Sequence, residues 1–168
     1  MRIGFIGAGF IAKFQASAMR FVRGADLTGV YAIKGADELA AYSKSNGLGD
    51  CKVYGSIAEL CKNSDAVAVL APNFARVEIV SQIADAVKAG AALKGVMCEK
   101  PLGRTVAEAK ELVRLMKEAK MPTAYFENQI HMKAVKNALK QLAPVAKEMG
   151  PVALARSAEE HAGPRRHH

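Results

Sequence analysis

The stretch Arg2-Ile3-Gly4-Phe5-Ile6-Gly7-Ala8-Gly9-Phe10-Ile11-Ala12 decides the fold. Its first five residues form an apolar run, a glycine turn follows at once, and a helical pattern continues to about Arg23. Strand, glycine turn and helix in that order open a dinucleotide-binding unit, because each small residue has its own mechanical part. Gly7 permits the tight turn off the strand, Gly9 lets the backbone approach a pyrophosphate, and Ala12 lets the helix pack closely on the strand. The phosphates would rest on the backbone around Phe10, Ile11 and Ala12, where the first helical turn has N–H groups without intrahelical partners and the dipole end is positive. Gly4, inside the strand, marks another close backbone approach.

Strand and helix signals alternate along the rest of the chain. Leu27 to Ile33 is expected as the second strand, Asp37 to Ser45 as a helix, and Cys51 to Tyr54 as a short third strand. Ser56 caps a helix through Lys62, with Glu59 as its capping-box partner, and Ala66 to Ala71 forms an apolar strand. Val77 to Ala89 is helical and ends at Gly90, and Gly95 to Cys98 is the next buried strand. Thr105 to Lys120 is an amphipathic helix with the stripe Val106, Ala109, Leu112, Val113 and Met116; Pro122 to Phe126 is a strand; Lys133 to Leu142 is a helix broken by Pro144. Six strands alternating with helices predict an α/β fold, a doubly wound parallel sheet covered on both faces.

Composition narrows the function classes. A chain of 168 residues, 51% hydrophobic, can bury a core of its own. No apolar stretch approaches the ~20 residues of a membrane span and no signal peptide opens the chain, so a soluble, cytoplasmic protein without a membrane partner is expected. Cys51, Cys61 and Cys98 lack any C-x-x-C spacing, which argues against zinc and disulfides and for free thiols. The net charge of +8 suggests nucleic acid, but its distribution does not: Lys110, Arg114 and Lys117 alternate with Glu108, Glu111 and Glu118 on a solvated helix face. The only uncompensated cluster, Arg165-Arg166 beside His167-His168, fits a frayed tail.

Cofactor choice turns on the end of the second strand. An NAD-selective site places Asp or Glu about 20 residues after the glycine motif, where it accepts hydrogen bonds from the adenosine ribose. Ile33-Lys34-Gly35 stands there instead. The Lys34 ammonium cannot accept those bonds but can pair with a 2′-phosphate, which favours NADP; NAD remains the alternative because Asp37 is near enough to serve the ribose if the loop bends. In such a sheet, ligands lie outside the carboxyl ends of the strands, where strand order reverses between the first and fourth. Pro72-Asn73, Glu99-Lys100-Pro101 and Glu127-Asn128 follow strands four, five and six at that rim. The Asn73 amide can donate and accept at once, and Lys100, held between an acid and a proline, has little freedom and would be suited to proton transfer if partly buried.

The glycine motif, Pro72-Asn73 and Cys98-Glu99-Lys100-Pro101-Leu102 with the helix after it together resemble the amino-terminal half of the glucose–fructose oxidoreductase, inositol dehydrogenase and MocA family, over roughly residues 1 to 160. The resemblance implies an NAD(P)-dependent oxidoreductase acting on a sugar, a cyclitol or another small alcohol. Lys100 matches the family's lysine that assists proton transfer, Glu99 and Pro101 match its neighbours, and Asn128 falls where the family has an asparagine facing nicotinamide and substrate. The chain departs from the pattern at Arg76, where a histidine is frequent, and at Ala91 to Lys94, which lengthens the approach to strand five.

The family carries a second, substrate-binding domain. Residues 1 to 150 are therefore expected to form the dinucleotide-binding domain, with Pro151 to Ala158 as the first strand of a substrate domain that the chain does not continue. That strand would be mobile or would pair with a second copy in a homo-oligomer. His131 and His161 match no family motif and are expected as solvated loop residues. The runner-up function is a dinucleotide-binding module without redox chemistry; a methyltransferase on a similar sheet is disfavoured by Glu99-Lys100-Pro101.

Overall fold

The structure, a computed structural model, describes residues 1–156 and 158. It divides into two compact units, Met1–Glu127 and Asn128–His168.

The first unit alternates strand and helix throughout: β1 Arg2–Ile6, α1 Phe10–Met19, β2 Asp26–Tyr31, α2 Ala36–Ser45, β3 Lys52–Val53, α3 Ile57–Lys62, β4 Ala66–Val69, α4 Arg76–Lys88, β5 Gly95–Glu99, α5 Val106–Glu118 and β6 Thr123–Phe126. The strands form one parallel sheet in the order β3-β2-β1-β4-β5-β6, so strand order reverses between β1 and β4 as the sequence predicted. A parallel sheet needs crossovers on its faces, and each face here has its own core. Along β4, Val67 and Val69 join the cluster beneath α3, α4 and α5, while Ala66 and Ala68 face the other way, toward α1 and α2. Val67 and Val69 are fully buried, and each such side chain contributes about 1.5–3 kcal/mol.

Local chemistry fixes the helix ends. The Ser56 hydroxyl accepts the Glu59 N–H at 3.1 Å, and the Glu59 carboxylate reaches back to accept the Gly55 N–H at 3.0 Å. Thr105 caps α5 in the same way, accepting the Glu108 N–H at 3.2 Å. On the exposed face of α5, Arg114 bridges Glu111 and Glu118, the solvated charge pattern that the sequence indicated. The buried stripe of α5 differs from the expected one. Leu112, Leu115 and Met116 are buried whereas Val106 and Val113 are exposed, so the helix is turned slightly from the orientation that its valines suggest. Helix α1 is also shorter than its pattern, ending at Met19, with Gly24 beyond it in the left-handed region.

Ala91 to Lys94 forms a packed connection. Gly90 turns the chain out of α4, the Ala91 N–H returns to the Ala86 carbonyl at 2.9 Å, and the Lys94 N–H reaches the Asp65 carbonyl at 2.7 Å. Burial pushes the Cys51 and Cys61 thiols up to about 11, and it also raises Cys98. All three are free and buried. Among the described residues no His, Cys, Asp or Glu cluster could hold a metal, and no helix is long and apolar enough to cross a membrane.

The second unit contains a 3-10 turn, Gln129–His131, and helix α6, Lys133–Met149. Here the expectation of a break at Pro144 is corrected, because α6 runs through it. Proline forfeits one helical hydrogen bond to the carbonyl four residues earlier; Lys140, which carries that carbonyl, is exposed, so water can replace it. The expected strand at Pro151 to Ala158 is corrected as well. Residues 151–156 and 158 form no strand, and Ser157 lies outside the described residues. An extended segment becomes a strand only when another strand takes up its backbone groups. His131 is exposed in the 3-10 turn, while His161 and the Arg165-Arg166-His167-His168 cluster lie outside the described residues.

Candidate functional site

Parallel strands bring all their carboxyl ends to one edge, and the crossovers on opposite faces leave a crevice where β1 and β4 part. A cleft of about 690 Å³ opens there. Gly7, Ala8, Gly9, Phe10 and Ile11 form one wall, Ile33 and Lys34 follow β2, and Pro72, Arg76, Glu99 and Lys100 close the side toward β4 and β5. Residues far apart in sequence thus meet because their strands end at the same height.

The two glycines of the turn do different things. Gly7 has φ +110, and a Cβ there would lie 2.9 Å from the Ala71 backbone nitrogen, so only glycine lets β1 and the end of β4 approach this closely. Its N–H donates to the Tyr31 carbonyl at 2.8 Å. Gly9 has the ordinary extended values φ −74 and ψ −167, and a Cβ on it would meet nothing within 4 Å. Open space therefore lies in front of Gly9, at the start of a helix that no side chain caps and whose first turn carries no acid. Those features fit a phosphate, which needs N–H donors, a positive dipole end and room. Ala12 does not reach the cleft; it is fully buried in the core beside β1, as its packing part requires.

Lys34 is exposed at the cleft wall, next to Gly35, whose left-handed conformation starts α2. Asp37, the acid that could serve a ribose, is exposed in the first turn of α2 and does not line the cleft. Pro72 lines the cleft, whereas Asn73 is half-buried at the start of the 3-10 turn Asn73–Ala75 and does not. Asn128 belongs to the second unit, where its carbonyl accepts the His131 N–H at 3.0 Å.

Glu99 and Lys100 end β5 with opposite surroundings. The Glu99 side chain is only 5% exposed; its carboxylate accepts from Gln15 Nε2 at 2.8 Å and from the Lys100 N–H at 3.0 Å. Lys100 is exposed, because it stands past the last paired residue of the strand and faces the open cleft. Its peptide bond to Pro101 is cis; Pro101 itself does not line the cleft.

Two participants were not legible as such. Arg76, noted only as a departure from a motif, is 4% exposed and donates to the carbonyls of Ala71, Glu99, Lys100 and Pro101. One signal could have found it: a cation at the first position of a helix opposes the dipole, so an arginine there needs another employment. Gln15 left no such signal, since a glutamine on the polar side of a helix is unremarkable in sequence.

A family model described as an oxidoreductase family with an NAD-binding Rossmann fold matches residues 1–129. The glucose-6-phosphate 3-dehydrogenase of Bacillus subtilis is 33% identical over 108 residues, covering 64% of this chain and 28% of that protein. The 1,5-anhydro-D-fructose reductase of Ensifer adhaerens is 33% identical over 118 residues, covering 70% of this chain and 33% of that protein. Among solved structures, a UDP-N-acetylglucosamine 3-dehydrogenase from Acidithiobacillus ferrooxidans superposes with a TM-score of 0.68 over 84% of this chain and 43% of its own, at 24% identity. At that identity the likeness concerns the fold. The chain spans about a third of the length of the curated relatives it matches.

Proposed function

The chain belongs to the Gfo/Idh/MocA oxidoreductase family, whose matched portion is an NAD-binding Rossmann fold, and on that premise we propose a nicotinamide-dependent dehydrogenase that uses NADP in preference to NAD. Its substrate is a sugar, a cyclitol or another small alcohol or carbonyl compound. The observation that carries the reading is the convergence of the glycine turn, Lys34 and Lys100 on one cleft. In this reading residues 1 to 150 serve as the dinucleotide-binding domain, a substrate domain begins near Pro151, and the protein works in the cytoplasm.

The parts divide the task. The backbone at Gly9, Phe10 and Ile11 holds the pyrophosphate, and Lys34 pairs with the 2′-phosphate. A bound nicotinamide supplies hydride exchange with the substrate carbon. Lys100 takes the proton from the substrate hydroxyl during oxidation and returns it to the carbonyl oxygen during reduction. Glu99 keeps Lys100 aligned by accepting its N–H.

Calorimetric titration tests the cofactor assignment. One charge-assisted contact from an exposed lysine gives NADPH an advantage of about tenfold over NADH. Lys34→Ala is expected to remove most of that gap by weakening NADPH alone. Equal affinities for the two cofactors in the parent protein would overturn the NADP preference.

A further inference from the structure

Among the described residues, Arg76 and Glu99 are the only buried charged side chains. Arg76 forms no ion pair among those residues, and it stands at the first position of α4, where the dipole disfavours a cation. Burying a charge without a carboxylate is costly unless its hydrogens are well used. Here they are used on two strand ends. Nε donates to the Ala71 carbonyl at 3.1 Å, just past β4, while Nη1 donates to the carbonyls of Glu99 and Pro101 and Nη2 points to that of Lys100 at 3.5 Å. Three successive carbonyls of the turn that carries Lys100 thus converge on one guanidinium.

The Lys100 side chain has no comparable support. It is exposed and forms no ion pair among the described residues, so the place of its ammonium follows from the backbone beneath it. That backbone is held on the far side by the Glu99 carboxylate, itself held by Gln15. We infer that Arg76 is a positioning residue for Lys100, bracing the Glu99-Lys100-Pro101 turn so that the lysine presents its amine to the cleft at a fixed height. The proton-transfer part of Lys100 rests on the dehydrogenase reading above; the brace itself does not. A lysine at position 76 keeps the charge but offers one compact ammonium, which cannot span carbonyls on two strand ends as a planar fork does.

The experiment compares the parent chain with Arg76→Lys and Arg76→Gln. Amide exchange is followed at Lys100, Leu102 and Gly103 and, as a control, along β1 and β4. A second readout is the resonance of ¹³C-dimethylated Lys100, assigned by its absence in Lys100→Arg. Both variants are expected to accelerate exchange in the turn by at least about tenfold with less than about twofold change in β1 and β4, and to move the Lys100 resonance. Two results would overturn the inference: exchange and the Lys100 resonance unchanged from the parent, or acceleration as large in β1 and β4 as in the turn, which is general loosening of the fold. NADPH titration of the parent, run alongside, reports separately on the cofactor reading, because failure to bind would sink that reading while the exchange data still decide the brace.

Discussion

Lys100→Ala is expected to lower kcat by roughly a hundredfold to ten-thousandfold, the usual worth of a positioned acid–base group, or about 3–5 kcal/mol of barrier. The expectation follows from position: Lys100 is the cationic side chain at the end of β5 that faces the cleft without being tied to a carboxylate. Because the curated relatives extend well beyond the matched region, the assay belongs in a longer form of the chain that turns over a sugar or cyclitol. NADPH affinity should change less than about threefold, since the lysine acts on the reacting oxygen, and a loss confined to kcat is the mark of an interaction made in the transition state. Lys100→Arg keeps the charge but cannot surrender a proton, so it should recover little. A kcat within about threefold of the parent in Lys100→Ala would remove the lysine from the chemistry.

The two glycines of the turn predict opposite outcomes. Gly9→Asp places the preferred N-cap residue at the start of α1, in a backbone conformation that any residue adopts and in open space, so the free protein should hold or gain a few tenths of a kcal/mol. The same carboxylate fills and charges the space that a pyrophosphate needs, and NADPH binding should fall by at least about a hundredfold. Gly7→Ala acts on the fold instead. With φ +110 and a Cβ 2.9 Å from backbone, it should cost about 1–3 kcal/mol and lower Tm by roughly 2–12 °C. Thermal melts and NADPH titrations of both variants separate the two effects. Undiminished binding in Gly9→Asp would mean that the phosphates lie elsewhere.

Much of this is legible in the sequence alone. The glycine turn, the apolar run that becomes β4 and the Ser56 cap each carry a local signal that the fold obeys, so the parallel sheet and its crevice follow from them. Where the chain departs from its pattern, tertiary context decides. The valines of α5 suggested one buried face, and packing on the sheet chose Leu115 in their company's place. Pro144 announced a break that an exposed helix can absorb. At the site, the place of Gly9 and Lys34 on the cleft was readable because each directly follows the strand end that borders it. The burial of Glu99 and the work of Arg76 and Gln15 were not, since those contacts join α1, α4 and the end of β5 across more than twenty positions of sequence, and no local pattern encodes such a meeting.

Chemical-shift mapping with NADPH tests the central claim most directly. If the crevice between β1 and β4 holds the dinucleotide, saturable shifts with a Kd in the micromolar to millimolar range should concentrate on the amides of Gly7 to Ile11, Lys34 and Lys100, leaving the outer face of α5 unmoved. Shifts absent at saturating NADPH, or centred away from the glycine turn, would contradict the account.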